Sequence, residues 1–318
     1  MEISDLSVGD IMQVSWENDT VIPGFNIPYL PMMEPVVKAL RDTQTFGLIM
    51  VARLEWVKFK SGSIREIYKE YKKLEDLKYT RLHLDHVPVI DEDNLQVDFV
   101  KDISEALDLG YHSVMIDGSR LSLTENMAKT KQIVDLAHSS SVPVEAELGA
   151  VLGHEKGPLP PYEELFATAK GFTCPEEAKR FVDETQVDWL SVAIGSIHGA
   201  ISEARKEKKQ EARLSIPHLD LINKAIRKPL VLHGGTGIRK EYLMESFKNG
   251  ISKINIATAI RQPYEKMVDK SLKAAQDAVY EEMLDIIHHQ LEIAGTANKI
   301  QMFYNQGDTL KTINNESK

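Results

Sequence analysis

Short apolar segments rich in β-branched residues recur along the chain, and longer amphipathic segments separate them. Each apolar segment has four to eight residues and no apolar–polar alternation, which predicts a strand buried on both faces. Eight segments have this character: residues 21–27, 47–52, 80–84, 113–117, 142–148, 189–195, 229–233 and 252–256. Their number and regular spacing indicate an α/β protein.

Apolar residues return at helical spacing between the strand segments. The helical segments are residues 31–40, 97–109, 123–138, 175–184, 217–226 and 240–249. Gly110 and Gly250 directly follow two of them, as expected where a helix ends in a left-handed residue. Strands and helices that alternate in this way over about 250 residues favour a closed (β/α)8 TIM barrel over a doubly wound sheet.

The chain contains no Pro-, Gly- or Ser-rich linker that would divide it. We therefore expect one domain over residues 1–318, with the barrel at about 20–262 and a C-terminal helical extension at about 263–318. Apolar residues keep helical spacing through the first part of this extension, whereas its end is polar and is expected to fray.

Composition excludes several classes of protein. The net charge of −10, from 48 acidic and 38 basic residues, argues against a nucleic-acid partner. The longest apolar run, residues 46–52, is too short to cross a bilayer, so no membrane partner is expected. The chain begins without the basic and apolar regions of a secretory signal. A single cysteine, Cys174, forms no internal disulfide, and we expect a cytoplasmic protein.

Histidines stand at the ends of three predicted strands, where barrel enzymes place their active sites. They are His86, His198 and His233. Neutral imidazole is a good ligand for Zn²⁺, and three histidines with one open position form a catalytic metal site. His83 shares a strand with His86, and we expect it to face the other layer and to be structural.

Other strand ends carry acidic and glycine-rich segments. Asp85 directly precedes His86, and a turn of the backbone at the strand end would let both reach the pocket. Its alternative role is to support a histidine. Residues 233–237 (HGGTG) and 255–258 (NIAT) each precede a helical segment, where N–H groups can hold a phosphate.

Taken together, these motifs resemble the class II, metal-dependent ketose-bisphosphate aldolases, which include fructose- and tagatose-bisphosphate aldolases. The resemblance covers about residues 20–262. Its motifs are GFNI at 24–27, HLDH at 83–86, SVMIDGS at 113–119, VEAELG at 144–149, FTCPEEA at 172–178, AIGSIHG at 193–199, PLVLHGGTGI at 229–238 and KINIAT at 253–258.

The resemblance implies roles for these residues in the cleavage of a ketose 1-phosphate or 1,6-bisphosphate to dihydroxyacetone phosphate and an aldehyde. Asp85 would be the acid/base at the aldehyde-derived hydroxyl, and Glu155 would exchange the proton at the enediolate carbon. The implied ligands are His86, His198 and His233 for Zn²⁺, with Asp117 and Glu147 at an alternate metal position. The implied substrate and phosphate contacts, with a monovalent cation (Na⁺ or K⁺) nearby, are Asn26, Gly199, Gly234, Thr236, Asn255 and Thr258.

Departures from the family pattern concern the substrate more than the chemistry. The second strand leads to Arg53 and Glu55, where the family usually has Ser or Thr. Arg53 is a candidate contact for an acid or another anion on the aldehyde half, and the alternative is a salt-bridged residue at the rim. Ala257 stands where many fructose-specific members carry Asp, and tagatose-type members can carry Ala.

Two functions from different classes remain open at this point. The first is an active zinc aldolase, expected to be a homodimer or homotetramer. The second is a non-catalytic, aldolase-like subunit of a sugar-degrading complex. The intact set of Asp85, His86, Glu155, His198 and His233 favours the first. A Schiff-base aldolase is disfavoured, because Lys253 begins the eighth strand.

Overall fold

A closed barrel of eight parallel strands forms the centre of the protein, in a computed structural model that describes residues 1–149, 161–196 and 212–316. The strands are β1 (Ile22–Asn26), β2 (Gly47–Ala52), β3 (Thr80–Pro88), β4 (Ser113–Asp117), β5 (Val144–Leu148), β6 (Trp189–Val192), β7 (Leu230–Leu232) and β8 (Ile251–Ile256). Each strand pairs with its neighbour in sequence, and β1 pairs with β8, with Gly24 opposite Asn255. This closure confirms the TIM barrel and excludes the doubly wound sheet.

Helices surround the barrel and continue into the C-terminal extension. They are α1 (Val8–Glu17), α2 (Met33–Asp42), α3 (Arg53–Lys58), α4 (Ile64–Leu74), α5 (Phe99–Leu109), α6 (Leu123–His138), α7 (Tyr162–Thr168), α8 (Pro175–Thr185), α9 (Ile216–Ile226), α10 (Lys240–Phe247), α11 (Thr258–Met267), α12 (Leu272–Asp285) and α13 (Thr296–Glu316). The segments predicted from periodicity correspond to α2, α5, α6, α8, α9 and α10. Within the described ranges, none of the helices combines the length and apolarity that crossing a bilayer would require.

Local sequence explains where several helices begin and end. The hydroxyl of Ser63 accepts from the backbone N–H of Glu66 in the first turn of α4, and the Glu66 carboxylate accepts from the N–H of Ser63. Ser122 and Glu125 form the same pair of bonds at the start of α6. Gly110 ends α5 with φ at 97°, a left-handed conformation that glycine adopts without strain. These caps fix the helix lengths and therefore the loops that reach the carboxyl ends of the strands.

Arg81 closes the amino-terminal end of the barrel opposite the site. Its guanidinium is buried and donates hydrogen bonds to the carbonyls of Ile3 (3.1 Å) and Leu6 (2.9 Å), in the segment before α1. It also donates to the carbonyl of Thr80 at 2.9 Å. One side chain therefore ties the N-terminal segment to β3 and supplies a donor to the carbonyl of Leu6.

The substitution Arg81→Met should lower the free energy of unfolding by about 2–3 kcal/mol, because the hydrogen bonds that join the N-terminal segment to β3 are lost and the buried carbonyl of Leu6 loses this donor. Urea titration followed by circular dichroism measures this difference. The matched control is Arg65→Met, because Arg65 is exposed and its contact with Glu105, at 3.5 Å, is solvated. This control should change the free energy of unfolding by no more than about 0.5 kcal/mol. Equal stability of the two variants would contradict the structural role of Arg81.

Candidate active site

The end of β3 explains how two adjacent residues both face the pocket. Successive residues on a regular strand point to opposite faces. Here the register between β3 and β4 shifts between Leu84 and Val87, and His86 adopts a positive φ of 36°. This bulge turns the side chain of His86 to the same side as that of Asp85. The expected turn of the backbone at the strand end is therefore present.

Two asparagine side chains hold the carboxylate of Asp85. Asn26 Nδ2, at the end of β1, donates to Oδ2 at 2.9 Å, and Asn255 Nδ2, in β8, donates to Oδ1 at 3.0 Å. Burial raises the pKa of Asp85, but the positive charges of His86 and Lys253 outweigh it and lower the pKa to about 2. The carboxylate is thus buried, ionised and fixed in orientation.

His86 and His233 approach each other within a ring of carboxylates. Their ring centroids are 4.4 Å apart. His86 Nδ1 lies 3.2 Å from Asp117 Oδ2 and 3.7 Å from Glu147 Oε2, while His233 Nδ1 lies 3.0 Å from the same Glu147 oxygen. Burial lowers the pKa of His86, but Asp85, Asp117 and Glu147 raise it to about 10, so this position attracts positive charge.

The donor atoms at this point suit a divalent metal ion. Ligand atoms of Asp85, His86 and His233 lie within 4.8 Å of one another, and so do those of His86, Asp117 and Glu147. Imidazole nitrogen together with carboxylate oxygen is a donor set that Zn²⁺ accepts. The described residues therefore fit a metal at the position expected from the sequence.

Glu145 supports this metal position from the layer beneath it. Its Oε1 accepts from His233 Nε2 at 3.0 Å, and its Oε2 accepts from Trp189 Nε1 at 2.7 Å and Lys253 Nζ at 2.8 Å. A proton on Nε2 leaves the lone pair of His233 on Nδ1, the nitrogen that faces His86 and Glu147. All four of these interior side chains are buried.

The glycine-rich loop after β7 and the start of α11 form the opposite wall. Gly235 packs directly on β8: a Cβ there would come within 2.6 Å of the Ile254 side chain and 2.9 Å of the Asn255 carbonyl. Thr258 is the first residue of α11, so the helix opens with its N–H groups at the pocket. Both features are typical of phosphate sites at the ends of the seventh and eighth barrel strands.

One cavity of about 850 Å³ joins these walls. The residues expected from the sequence that line it are Asn26, Asp85, His86, Asp117, Glu147, Gly234, Thr236, Asn255 and Thr258. His233 lies directly behind them against His86. The predicted residues Glu155, His198 and Gly199 lie outside the described residues.

Arg53 is not among the residues that line this cavity. It is the first residue of α3, and its guanidinium lies 3.5 Å from Asp91 Oδ2 and 3.5 Å from Asp102 Oδ2. This placement matches the alternative of a salt-bridged residue at the rim. The start of α3 turns Arg53 away and brings Glu55 to the cavity instead.

The site also contains residues that the sequence motifs did not indicate: Glu145, Lys253, Trp189 and Glu55. Side chains alternate between the two faces of a strand, and this rule could have indicated Glu145 and Lys253. Glu145 precedes Glu147 by two residues, and Lys253 precedes Asn255 by two, so each pair shares a face of its strand. The same rule places His83 on the inward face with Asp85 rather than in the other layer. Its Nδ1 lies 2.8 Å from Ser113 Oγ and its Nε2 lies 3.6 Å from Glu145 Oε2.

A closed (β/α)8 barrel with histidines, carboxylates and a phosphate-type loop at its carboxyl end is typical of metal-using barrel enzymes. The model of the family "Fructose-bisphosphate aldolase class-II" matches residues 7–300. The chain therefore belongs to the class II fructose-bisphosphate aldolase family, and it is an aldolase-type lyase.

Solved structures agree with this assignment. The YdjI aldolase from Escherichia coli K12 is 25% identical, with a TM-score of 0.72 over 92% of this chain and 98% of that one. The fructose-bisphosphate aldolase of Campylobacter jejuni is 17% identical, with a TM-score of 0.69 over 91% of this chain and 96% of that one. The second likeness supports the fold alone.

The substitution Glu145→Gln should weaken metal binding about 10- to 100-fold, because the carboxylate that orients His233 loses its charge. Competition between the protein and a chromogenic chelator for Zn²⁺ measures the affinity. Glu177→Gln, on the exposed face of α8, is the matched control and should bind Zn²⁺ as the unaltered protein does. Indistinguishable affinities for the two variants would show that Glu145 does not act on the metal position.

Proposed function

We propose that the protein is a zinc-dependent aldolase that cleaves a ketose 1-phosphate or 1,6-bisphosphate to dihydroxyacetone phosphate and an aldehyde. The observation that carries the proposal is the position of Asp85. It stands between the histidine–carboxylate cluster and the glycine-rich loop, and the amides of Asn26 and Asn255 hold both of its oxygens. Membership of an aldolase family whose substrates are phosphorylated sugars supports the reaction class.

In this proposal the C1 phosphate lies against the loop after β7 and the start of α11. Gly234, Thr236 and Thr258 line the cavity there, and backbone N–H groups together with the α11 dipole compensate the phosphate charge. A monovalent cation near this phosphate is part of the proposal, as is a phosphate contact from Gly199. Asn255 links this wall to Asp85 and so fixes the distance from the phosphate to the reacting carbons.

His86, His233 and His198 would hold the zinc ion, and Asp117 and Glu147 would offer an alternate position for it. When bound, the ion supplies Lewis acidity that polarises the ketose carbonyl. The carboxylates around His86 and the hydrogen bond from His233 to Glu145 support this assignment.

Proton transfers then fall to two carboxyl groups. Asp85 takes the proton of the C4 hydroxyl, the C4–O bond becomes a carbonyl, and the electron pair of the C3–C4 bond passes to C3. After the aldehyde leaves, Glu155 returns a proton to C3, which gives dihydroxyacetone phosphate. Asp85 suits the first step because it is ionised and fixed while still lining the cavity.

Further properties of the protein remain predictions. A homodimer or homotetramer rests on the family resemblance. A cytoplasmic location rests on the single cysteine. Sedimentation velocity and cell fractionation address these two expectations directly.

The substitution Asp85→Asn should lower kcat for cleavage about 10²- to 10⁴-fold, because the amide cannot accept the C4 hydroxyl proton. The same variant should still exchange the C–H proton of dihydroxyacetone phosphate with solvent, since that step belongs to Glu155. Release of dihydroxyacetone phosphate and incorporation of deuterium followed by NMR measure the two steps. Loss of exchange in Asp85→Asn together with retained exchange in Glu155→Gln would reverse the assigned roles.

Removal of the metal should abolish cleavage, and added Zn²⁺ should restore it. The test is a panel of ketose 1-phosphates and 1,6-bisphosphates, assayed for dihydroxyacetone phosphate before and after chelation. His233→Ala should behave as the chelated protein does, because it removes one ligand and its bond to Glu145. Absence of both bound metal and cleavage across the panel would favour the non-catalytic subunit.

A further inference from the structure

The wall of the cavity beyond Asp85 is mainly apolar. The proposed phosphate site occupies the ends of β7 and β8, and Asp85 acts at C4, so the aldehyde half of the substrate extends toward the ends of β1, β2 and β3. The apolar residues that line this part of the cavity are Pro28, Ala52, Leu54, Phe59, Pro88 and Ile90. Such a surface favours an aldehyde half with little charge.

Glu55 is the buried acidic residue of this wall, whereas Glu92, which also lines the cavity, is partly exposed and pairs with Lys58. Its side chain is buried, and its Oε2 accepts from the backbone N–H of Ala52 at 2.8 Å and from Asn26 Nδ2 at 3.4 Å. The same Asn26 amide donates to Asp85 at 2.9 Å. Asn26 therefore fixes the carboxyl group of Glu55 relative to the group that acts on the C4 hydroxyl.

The surroundings of Glu55 favour its neutral form. Burial is the main cause that raises its pKa to about 8, and the negative charge of Asp85 adds to it, against the opposing effect of the Ala52 N–H. A neutral carboxyl group donates one hydrogen bond and accepts others, which suits a sugar hydroxyl. An anion at the same place would meet the charge of Asp85 instead.

Most cations near this wall already face carboxylates. Lys58 lies 2.7 Å from Glu92, and Arg261 donates to both oxygens of Glu265, at 2.7 and 2.8 Å. Each of these charges is therefore matched before substrate arrives.

Arg120 differs from these cations in its partner and its place. Its guanidinium lies 3.3 Å from the amide oxygen of Asn94 and is exposed at the rim after β4. Arg120 lines the same cavity and follows Asp117 and Ser119 in the chain, and its partner Asn94 belongs to the loop after β3. Among the described residues that line the cavity, Arg120 is thus a competing candidate for binding an anionic group on the aldehyde half.

We propose that Glu55 is a specificity-determining residue, and that with the apolar wall it selects substrates whose aldehyde half is uncharged. The expected substrate class is a ketose 1-phosphate with a neutral, hydroxyl-bearing far end, in preference to a 1,6-bisphosphate or a carboxylate-ended sugar. This inference rests on the proposed aldolase function and narrows it.

The test uses the full-length, zinc-loaded protein in the condensation direction. Dihydroxyacetone phosphate is paired with glyceraldehyde, glyceraldehyde 3-phosphate or succinic semialdehyde, and kcat/KM is measured for each aldehyde. We expect glyceraldehyde to exceed both anionic aldehydes at least about tenfold. A preference for either anionic aldehyde would overturn the inference, and loss of that preference in Arg120→Ala would assign it to Arg120.

Variants of Glu55 then separate recognition from folding. Glu55→Leu should raise KM for glyceraldehyde about tenfold with a smaller change in kcat, because the hydroxyl loses its partner. Glu55→Gln should retain the preference for glyceraldehyde over the anionic aldehydes, because its amide still accepts from the Ala52 N–H and donates to a hydroxyl. Glu55→Lys should shift the preference toward the anionic aldehydes, and Glu177→Leu on α8 should change nothing. An unchanged preference in both Glu55→Leu and Glu55→Lys would refute the role of Glu55.

Solvent exchange of the C–H proton of dihydroxyacetone phosphate distinguishes failure of the Glu55 proposal from failure of the proposed aldolase function. Exchange by the unaltered protein needs no aldehyde and no contact with Glu55. Absence of exchange would reject the aldolase proposal itself. If exchange occurs but anionic aldehydes are preferred, the aldolase proposal stands and only the proposed selection by Glu55 is rejected.

Discussion

The buried carboxylate of Glu145 is the interaction on which the site depends. It connects its own strand, β5, to three others: Lys253 of β8, Trp189 of β6 and His233 at the end of β7 all donate to it. Removing one partner of a buried ion pair costs about 3–5 kcal/mol, because the other charge remains in a low dielectric. Loss of either Glu145 or Lys253 would therefore be costly, and the hydrogen bond from His233 Nε2 to Glu145 orients the imidazole.

Above this layer, amides rather than charges connect the groups that would act on substrate. Asn255 accepts from Lys253 at 2.7 Å and donates to Asp85, while Asn26 joins Asp85 to Glu55. A continuous chain of hydrogen bonds thus runs from the interior cation to the wall of the aldehyde half. Asp85 and Glu55 therefore share one hydrogen-bond donor, the Asn26 amide, which sets the position of one carboxyl group relative to the other.

The strand pattern was predictable because parallel barrel strands are buried on both faces and appear as continuous apolar runs. The short helix α3 was not predicted, since six residues carry too little periodicity to be recognised. From the sequence, Arg53 was a candidate contact for an anion on the aldehyde half, and the alternative was a salt-bridged residue at the rim. In the structure the first turn of α3 directs Arg53 toward Asp91 and Asp102 and presents Glu55 to the cavity.

The sequence by itself determined the barrel, the strand ends that carry Asp85, His86 and His233, and the family, because these follow from local patterns and motif order. The tertiary structure decided which side chains meet. Glu145 and Lys253 are 108 positions apart in the chain, and only closure of the barrel places their charges 2.8 Å apart. Their partnership is a property of that closed interior, where burial makes a charge depend on neighbours that local sequence does not specify.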